Sequence, residues 1–184
     1  FKVLKEGVRE RLEEDLDLLV KIAARLDQSC DAYGIPPIDY ETTFQLVRDL
    51  LQFEIRLDRE QEHLVRAATT FAGLPTVQVP ALYPFCTPGI TAMERIDGCR
   101  VTDAELKDAD ARGGLAMLVT EALLARPLWS SAEVALFHAD PHAGNLVLTP
   151  DNRLGLLDWS LVGSLNKPTR VALTQIMISA LSLD

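Results

Sequence analysis

Two short apolar segments, at residues 145–148 and 153–157, constrain the fold of this chain more strongly than any other feature. A Thr-Pro-Asp-Asn turn at residues 149–152 joins them. Turn residues of this kind between runs rich in Leu predict an antiparallel β-hairpin. Asn145 begins the first strand and Asp158 follows the second, so the hairpin predicts that these two polar side chains lie close together.

A tight loop in front of the hairpin carries a third oxygen donor, Asp140, and contains Pro141 and Gly144. Asp140, Asn145 and Asp158 together offer two carboxylates and an amide, which are the ligands that Mg²⁺ prefers. Such a set is suited to phosphoryl transfer, in which Asn145 and Asp158 would hold Mg²⁺ on the phosphates of ATP. Asp140 would then orient or deprotonate the attacking hydroxyl or water. Protein kinases place an Asp and an Asn at the same five-residue separation, followed by a metal-binding Asp after a hairpin.

The histidines on either side of Asp140 allow a second interpretation. His138 and His142 could bind a metal together with Asp140 and Asp158, as in metallohydrolases. That arrangement leaves Asn145 and the hairpin without a role. The alternative is structural, with both imidazoles hydrogen-bonded to backbone groups of the loop.

Hydrophobic periodicity predicts a small lobe of strands and helices, followed by a mainly helical lobe. The elements expected in the small lobe are a strand over 1–5, helices over 6–28 and 40–71 with a bend near Phe53, and strands over 77–83 and 89–96. The elements expected beyond the Asp97-Gly98 turn are a short helix opened by a capping box at 102–105, an interruption at Gly113-Gly114, a helix over 115–125, the hairpin, and a final helix beginning at Asn166 and Pro168.

The composition excludes several classes of protein. The formal net charge of -9 argues against a nucleic-acid-binding surface, which needs clustered Lys and Arg. The three cysteines form no CxxC pair, which fits a reducing compartment better than a disulfide framework. The first residues do not resemble a signal peptide, and no run reaches the roughly 18 apolar residues of a membrane span. Because both ends cut through expected structure and there is no initiating Met, we expect a piece of a longer protein.

Four segments resemble the UbiB family of protein-kinase-like proteins. His-Ala-Asp-Pro-His-Ala-Gly-Asn at 138–145 resembles the specific His-x-Asp-Pro-His-Pro-Gly-Asn signature of that family. The other three are weaker alone: residues 93–98 resemble its hinge, residues 157–163 its Leu-Asp-Phe-Gly-Met-Val-Gly segment, and residues 1–8 the strand that carries its ATP-binding lysine. Together they cover nearly the whole chain.

This resemblance implies an α+β, protein-kinase-like two-lobe fold. Residues 1–97 would form a truncated N-lobe, with a small antiparallel sheet, helices and the hinge. Residues 98–184 would form a mainly helical C-lobe with the catalytic loop and the metal-binding hairpin. The Lys-x-Gly-Gln helix and Ala-rich nucleotide loop of the family lie upstream of the lysine strand, so this fragment by itself is expected to bind nucleotide poorly.

The resemblance also implies the roles of the nucleotide-binding residues. Lys2 would contact the α- and β-phosphates of ATP and would pair with an acid on a following helix. Glu54 and Glu60, six residues apart, are the candidates. We favour Glu60, with Glu54 left for a family-specific lysine from the upstream segment. Backbone groups from Glu94 to Ile96 would bind adenine.

Three substitutions depart from the family pattern. Ala143 replaces the second Pro of the signature, and Arg56 replaces the second acid of a Glu-x-Asp motif that begins at Glu54. Trp159-Ser160 replaces Phe-Gly, which removes a freely rotating backbone position beside Asp158. A mobile, kinase-like activation switch is therefore less expected here. An Asp-Trp pair also occurs in aminoglycoside and choline kinases.

The expected function is that of an ATP-dependent, Mg²⁺-using kinase or ATPase of the UbiB type, which supports isoprenoid-quinone (ubiquinone) biosynthesis. One alternative is a small-molecule phosphotransferase of the aminoglycoside or choline kinase type, and another is a nucleotide-binding pseudokinase scaffold. By resemblance, the partners would be a nucleotide and lipid-like quinone precursors or quinone-biosynthesis proteins. The expected location is cytoplasmic and peripheral to a membrane, with contact through segments outside this chain.

Overall fold

The structure, a computed structural model, describes residues 1–182, so the last two residues of the expected C-lobe lie outside the described residues. The helices are α1 (Val8–Tyr33), α2 (Tyr40–Glu54), α3 (Leu57–Phe71), α4 (Ala109–Thr120), α5 (Arg126–Leu128) and α6 (Lys167–Leu181). The strands are β1 (Lys2–Val3), β2 (Val77–Gln78), β3 (Ile90–Thr91), β4 (Cys99–Arg100), β5 (Val134–His138), β6 (Leu146–Leu148), β7 (Leu154–Leu156) and β8 (Val162–Asn166). A π-helical turn (Glu121–Ala125) joins α4 to α5.

Helix α1 is longer than its periodicity predicts. It continues past residue 28 to Tyr33, with a kink at Ser29, where φ is -136°. Gly34 ends it in the left-handed conformation (φ 63°), which a residue without a Cβ adopts at little cost. Asp39 then caps α2 by accepting a hydrogen bond from the Thr42 amide at 2.7 Å.

The single long helix expected over 40–71 is two helices, α2 and α3. The break falls at Ile55 and Arg56, just beyond the expected bend, and the ψ of Arg56 is 72°. Because the chain changes direction here, Glu54 ends α2 while Glu60 lies in the first turns of α3. The buried face of α3 is formed by Leu57, Glu60, Leu64, Ala67 and Phe71. Glu60 thus points into the protein with apolar neighbours at helical spacing.

The strands form three small sheets. In the first, β1 pairs with β3 in antiparallel orientation and brings Lys2 opposite Thr91. The second has the order β2-β7-β6-β4, and the third pairs β5 with β8. The expectation that 77–83 and 89–96 are two full strands of one small-lobe sheet is wrong. These segments are joined by an isolated bridge between Leu82 and Met93 and a few hydrogen bonds rather than by a full strand pairing, and β2 instead pairs in parallel with β7, where Val77 joins the core.

The expected hairpin is present and forms the centre of the second sheet. Strands β6 and β7 pair in antiparallel register, with Leu146 opposite Leu156. Both residues are buried, as is Leu154, and this burial stabilises the pairing. The Leu157 amide donates to the Asn145 carbonyl oxygen at 2.8 Å, so the hairpin closes directly beside the candidate metal ligands.

The start of the first C-lobe helix was wrongly predicted. The Thr102 hydroxyl contacts the Asp103 carboxylate rather than capping a helix, and α4 begins only at Ala109. Asp108 caps it by accepting from the Ala111 amide at 2.8 Å. The predicted interruption at Gly113-Gly114 is also wrong, because α4 runs through both glycines. Each costs about 1 kcal/mol relative to Ala, a cost that a well-capped helix can tolerate.

The end of the chain contains one predicted element and one that was missed. Asn166 caps α6 by accepting from the Thr169 amide at 2.9 Å, as its position before Pro168 predicts. Strand β8 was missed because Gly163, Ser164 and Asn166 give it little apolar character. Antiparallel pairing with β5 stabilises this strand. Among residues 1–182, none of the helices combines the length and apolar character that a bilayer crossing requires.

The hydrophobic core lies between α3 and the strands that carry the candidate site. Trp159 is completely buried in it and packs against Phe71, with ring centroids 6.1 Å apart. Its indole N–H donates to the Leu156 carbonyl oxygen at 3.1 Å. Because Trp159 directly follows Asp158, burial of the indole anchors the backbone beside that carboxylate.

Candidate active site

Lys2 connects three segments that are distant in the sequence. Its ammonium lies 2.9 Å from Glu60 Oε1 on α3, and 3.2 and 3.1 Å from the two carboxylate oxygens of Asp158 after β7. Strand β1 holds the lysine in place through its pairing with β3. Of the two acids considered as partners for Lys2, it is therefore Glu60 that forms the ion pair.

Glu60 is the most deeply buried acid at the site, with 1% of its surface exposed. Its Oε1 binds Lys2, while Oε2 has no hydrogen-bond partner among residues 1–182. Burial raises the pKa of Glu60, and the hydrogen bond and charge of Lys2 only partly offset this effect. Burial by itself would lower the pKa of Lys2, but Glu60 and Asp158 outweigh it and raise that pKa. Lys2 is thus a firmly protonated cation between two acids.

Asp158 adopts an unusual backbone conformation, with φ at 49°. This left-handed region is uncommon for residues other than glycine and is often found at functional sites. The Ser160 amide donates to Asp158 Oδ1 at 3.2 Å. Burial would raise the pKa of Asp158, but the Ser160 hydrogen bonds and the Lys2 charge outweigh it and lower that pKa. The carboxylate is therefore ionised at neutral pH. About one-third of its side chain is exposed.

Asp140 and Asn145 are held together across the loop that they delimit. The Asn145 amide nitrogen donates to the Asp140 carbonyl oxygen at 3.0 Å and approaches its Oδ2 at 3.4 Å. Asn145 is buried, whereas the Asp140 side chain is 42% exposed. With its nitrogen used inside the loop, Asn145 keeps its amide oxygen as the atom able to bind a cation.

His138 joins the catalytic loop to the hairpin. Its Nδ1 accepts from the Asp140 amide at 3.2 Å, so Nε2 carries the proton and donates to the Leu157 carbonyl oxygen at 2.9 Å. The ring is buried and packs against Trp159, with centroids 4.8 Å apart. With both ring nitrogens occupied by backbone groups, this geometry favours a structural role over metal binding.

His142 is used in a similar way. Its Nδ1 accepts from the Gly144 amide at 3.0 Å, which leaves Nε2–H directed towards Asp140 Oδ2 at 3.5 Å. Within residues 1–182, no three His, Cys, Asp or Glu side chains are grouped so that they could hold a metal ion. A site made of Asp158, the Asn145 amide, phosphate oxygens and water nevertheless suits Mg²⁺, which typically uses only one or two carboxylates.

The partner of Glu54 is Ser160 rather than Lys2. The Ser160 hydroxyl donates to Glu54 Oε1 at 3.3 Å and thereby links the end of α2 to the segment after Asp158. Sequence reasoning identified Ser160 only as a departure from the family pattern. The signal that it has a partner is the replacement of Gly by a hydroxyl residue beside the candidate metal ligand Asp158.

In the expected hinge, the Glu94 side chain is used for structure. The Glu94 carboxylate accepts from Gln78 Nε2 at 3.0 Å and from the Ala81 amide at 3.2 Å. The Glu94 amide in turn donates to the Ala81 carbonyl oxygen at 2.7 Å. The Ile96 side chain lies so close to Gly155 that a Cβ there would stand 2.9 Å from it. The Glu94 side chain and the Glu94 amide are therefore both in use within the protein.

A further residue, His63, was not identified from the sequence. Its Nδ1 lies 2.9 Å from the Trp159 carbonyl oxygen, one turn of α3 beyond Glu60. It thus connects α3 to the segment that carries Asp158. A lone histidine in a helix carries no motif, so only the folded chain reveals this contact.

Several curated relatives of this chain are named as kinases. It is 38% identical over 173 residues to "Protein ACTIVITY OF BC1 COMPLEX KINASE 1, chloroplastic" of Arabidopsis thaliana, which covers 90% of this chain and 22% of that protein. It is 30% identical over 173 residues to "Probable protein kinase UbiB" of Pseudomonas fluorescens, covering 89% of this chain and 31% of that protein. The chain therefore spans between a fifth and a third of the length of these relatives.

A solved structure has the same fold. This structure, "The complex structure of Rv3197-erythromycin from Mycobacterium tuberculosis", matches with a TM-score of 0.66 at 22% identity, over 88% of this chain and 39% of that one. The ABC1 atypical kinase-like domain matches residues 1–184. Because this family model covers the whole chain, the chain belongs to the ABC1 atypical kinase-like family.

Proposed function

We propose that this chain is the Mg-ATP-binding and catalytic part of an atypical kinase or ATPase of the UbiB type. The observation that carries the proposal is the position of the Lys2 ammonium, 2.9 Å from Glu60 and 3.1 Å from Asp158. A lysine that is paired with a buried helix acid and adjoins a metal-binding Asp is the arrangement that kinases use to bind phosphates.

Each side chain has a role that follows from its surroundings. Lys2 binds the α- and β-phosphates, and Glu60 holds it in position for that contact. Asn145 and Asp158 hold Mg²⁺, which would neutralise charge on the phosphates. Asp140, whose side chain is more exposed than that of Asp158, orients the attacking hydroxyl or water and accepts its proton.

The adenine ring is assigned to the hinge. The Glu94 side chain is occupied by Gln78 and Ala81, which favours recognition through the backbone between Glu94 and Ile96. A backbone donor and acceptor spaced in this way suit the hydrogen-bonding edge of adenine. Replacing the Glu94 side chain should therefore affect hinge stability more than the choice of base.

The pathway is proposed from the names of the relatives. Relatives called UbiB point to isoprenoid-quinone, especially ubiquinone, biosynthesis. Lipid-like quinone precursors or quinone-biosynthesis proteins would then be partners, at the cytoplasmic surface of a membrane. The acceptor of the phosphoryl group is left as either water or a small molecule.

The test is Mg-ATP turnover by the full-length protein and by its Asp158→Asn variant. Loss of a charged metal ligand should lower turnover roughly 100-fold or more, as for other groups that stabilise charge in a transition state. Asp103→Asn, on an exposed turn, is the matched control and should retain full activity. Equal turnover by the wild type and Asp158→Asn would instead support a nucleotide-binding scaffold.

A further inference from the structure

Gln61, the residue directly after Glu60, fastens α3 to the strand that pairs with the Lys2 strand. Its side-chain nitrogen lies 2.9 Å from the Thr87 carbonyl oxygen, 3.2 Å from that of Ile90 and 3.0 Å from the Thr91 hydroxyl. Since the amide has two hydrogens, these three acceptors share them. The contacts tie the first turns of α3 to β3.

These contacts close a ring around the Lys2–Glu60 ion pair. Lys2 is opposite Thr91 in the β1–β3 register, and Thr91 is fully buried against Gln61. Gln61 is covalently joined to Glu60, and the Glu60 carboxylate returns to Lys2 at 2.9 Å. The distance between α3 and β1 is thus set by a hydrogen-bonded amide as well as by the charges.

We infer that Gln61 is a positioning residue for nucleotide binding, which holds Glu60 against Lys2 by clasping α3 to β3. The inference rests on the proposed function, in which Lys2 binds the phosphates. An ion pair alone would let α3 shift, because Lys2 can also be neutralised by Asp158. The Gln61 amide removes that freedom, and His63 adds a second contact on the Trp159 side of the same helix.

If Gln61 positions Glu60, the effects of mutating these two residues on catalysis should depend on each other. Gln61→Leu keeps the size of the side chain and removes its donors. It should lower kcat/KM for ATP about three- to tenfold, the effect of losing a typical net hydrogen bond. In a Glu60→Gln background the same change should cost less than about twofold, because Lys2 no longer has the acid that Gln61 positions. If Gln61 only stabilised the fold, Gln61→Leu would lower kcat/KM by the same factor in the wild-type and Glu60→Gln backgrounds.

The experiment uses the full-length protein with two readouts. The first is kcat/KM for Mg-ATP in the four proteins of the Gln61→Leu, Glu60→Gln cycle, with Gln45→Leu on the exposed face of α2 as control. The second is amide hydrogen exchange without nucleotide, which should become faster at residues 87–91 in Gln61→Leu and stay unchanged in Gln45→Leu.

The outcomes separate this inference from the proposed function. Non-additive kinetics together with faster exchange support the positioning role. If the wild type turns over Mg-ATP but Gln61→Leu is additive with Glu60→Gln, or leaves kcat/KM unchanged, the positioning role is overturned while the proposed function stands. If the wild type neither binds nor hydrolyses Mg-ATP, both are overturned, even where exchange at 87–91 responds.

Discussion

The Glu60 carboxylate reaches the Lys2 ammonium with one oxygen, at 2.9 Å, and buries the other without a hydrogen-bond partner. A buried acid that is half satisfied contributes little to stability, because the loss of hydration opposes the attraction to lysine. The Lys2–Glu60 pair is therefore better explained by its effect on the position of the ammonium than by a contribution to fold stability.

Glu60→Gln should therefore separate activity from stability. The amide keeps the shape of the side chain, and Lys2 retains Asp158 as a partner, so no unpaired buried charge is left. The free energy of unfolding should therefore change by no more than about 1 kcal/mol. Mg-ATP turnover should fall by roughly tenfold or more, because Lys2 loses its fixed partner. Urea unfolding and steady-state kinetics on the same preparation check both statements. A protein that unfolds more readily but keeps its turnover would show that Glu60 is a structural residue.

Ser160→Gly would restore the residue that the family pattern has at this position. The change removes the hydroxyl that donates to Glu54 at 3.3 Å and frees the backbone beside Asp158. We expect the Mg²⁺ concentration for half-maximal activity to rise about three- to tenfold, because Asp158 is less well ordered. Titrating Mg²⁺ at saturating ATP measures this effect, and Ser164→Gly on β8 is the matched control. An unchanged Mg²⁺ requirement would contradict the link between Glu54 and the metal site.

Asp58, in the first turn of α3, makes stability depend on pH. Hydrogen bonds from Arg56 lower its pKa from 3.8 to about 2. The ionised form is favoured in the folded state, so its contribution is fully present above pH 3.8 and is lost as pH falls through about 2. The difference in unfolding free energy between the wild type and Asp58→Asn should shrink over that interval. Urea unfolding at several pH values tests this, and a difference that stays constant between pH 3.8 and about 2 would contradict it.

Arg170 holds the connection between α5 and β5 to the start of α6. Its guanidinium lies 2.8 Å from the Leu165 carbonyl oxygen and 2.7 Å from that of Ala132, with longer contacts to those of Ser130 and Glu133. Arg170→Lys should destabilise the protein by about 2 to 3 kcal/mol, because one ammonium cannot serve carbonyls in this planar spread. Chemical denaturation measures the loss.

The matched control for Arg170 is Arg112→Lys on the exposed surface of α4, which should leave stability within about 0.5 kcal/mol of the wild type. Equal stabilities for the two lysine variants would mean that the carbonyls of Ser130 and Ala132 do not need the buried guanidinium.

Local features of the sequence predicted the hairpin correctly. Its two short strands and turn bring the Asn145 backbone into contact with Leu157, the residue before Asp158. The cap of α6 at Asn166 is likewise a contact between residues three positions apart. The catalytic and metal-binding roles of these residues remain predictions.

Other expectations failed because a neighbour in space outweighed a local signal. Gly113-Gly114 suggested a break, but the Asp108 cap and the following turns carry α4 through it. Strand β8 has few apolar residues and exists through its pairing with β5. Strand β2 joins β7 rather than β3 because Val77 is buried there among the residues of the hydrophobic core.

Through its resemblance to a known family, the sequence predicted that an acid pairs with Lys2, whereas the choice of that acid and its surroundings depended on the folded chain. Glu54 and Glu60 are six residues apart on a segment whose periodicity predicts one helix. The break at Ile55 and Arg56 turns α3 so that Glu60 enters the core while Glu54 stays at the surface beside Ser160. Such a choice depends on contacts between residues 58 to 156 positions apart, which no local propensity encodes.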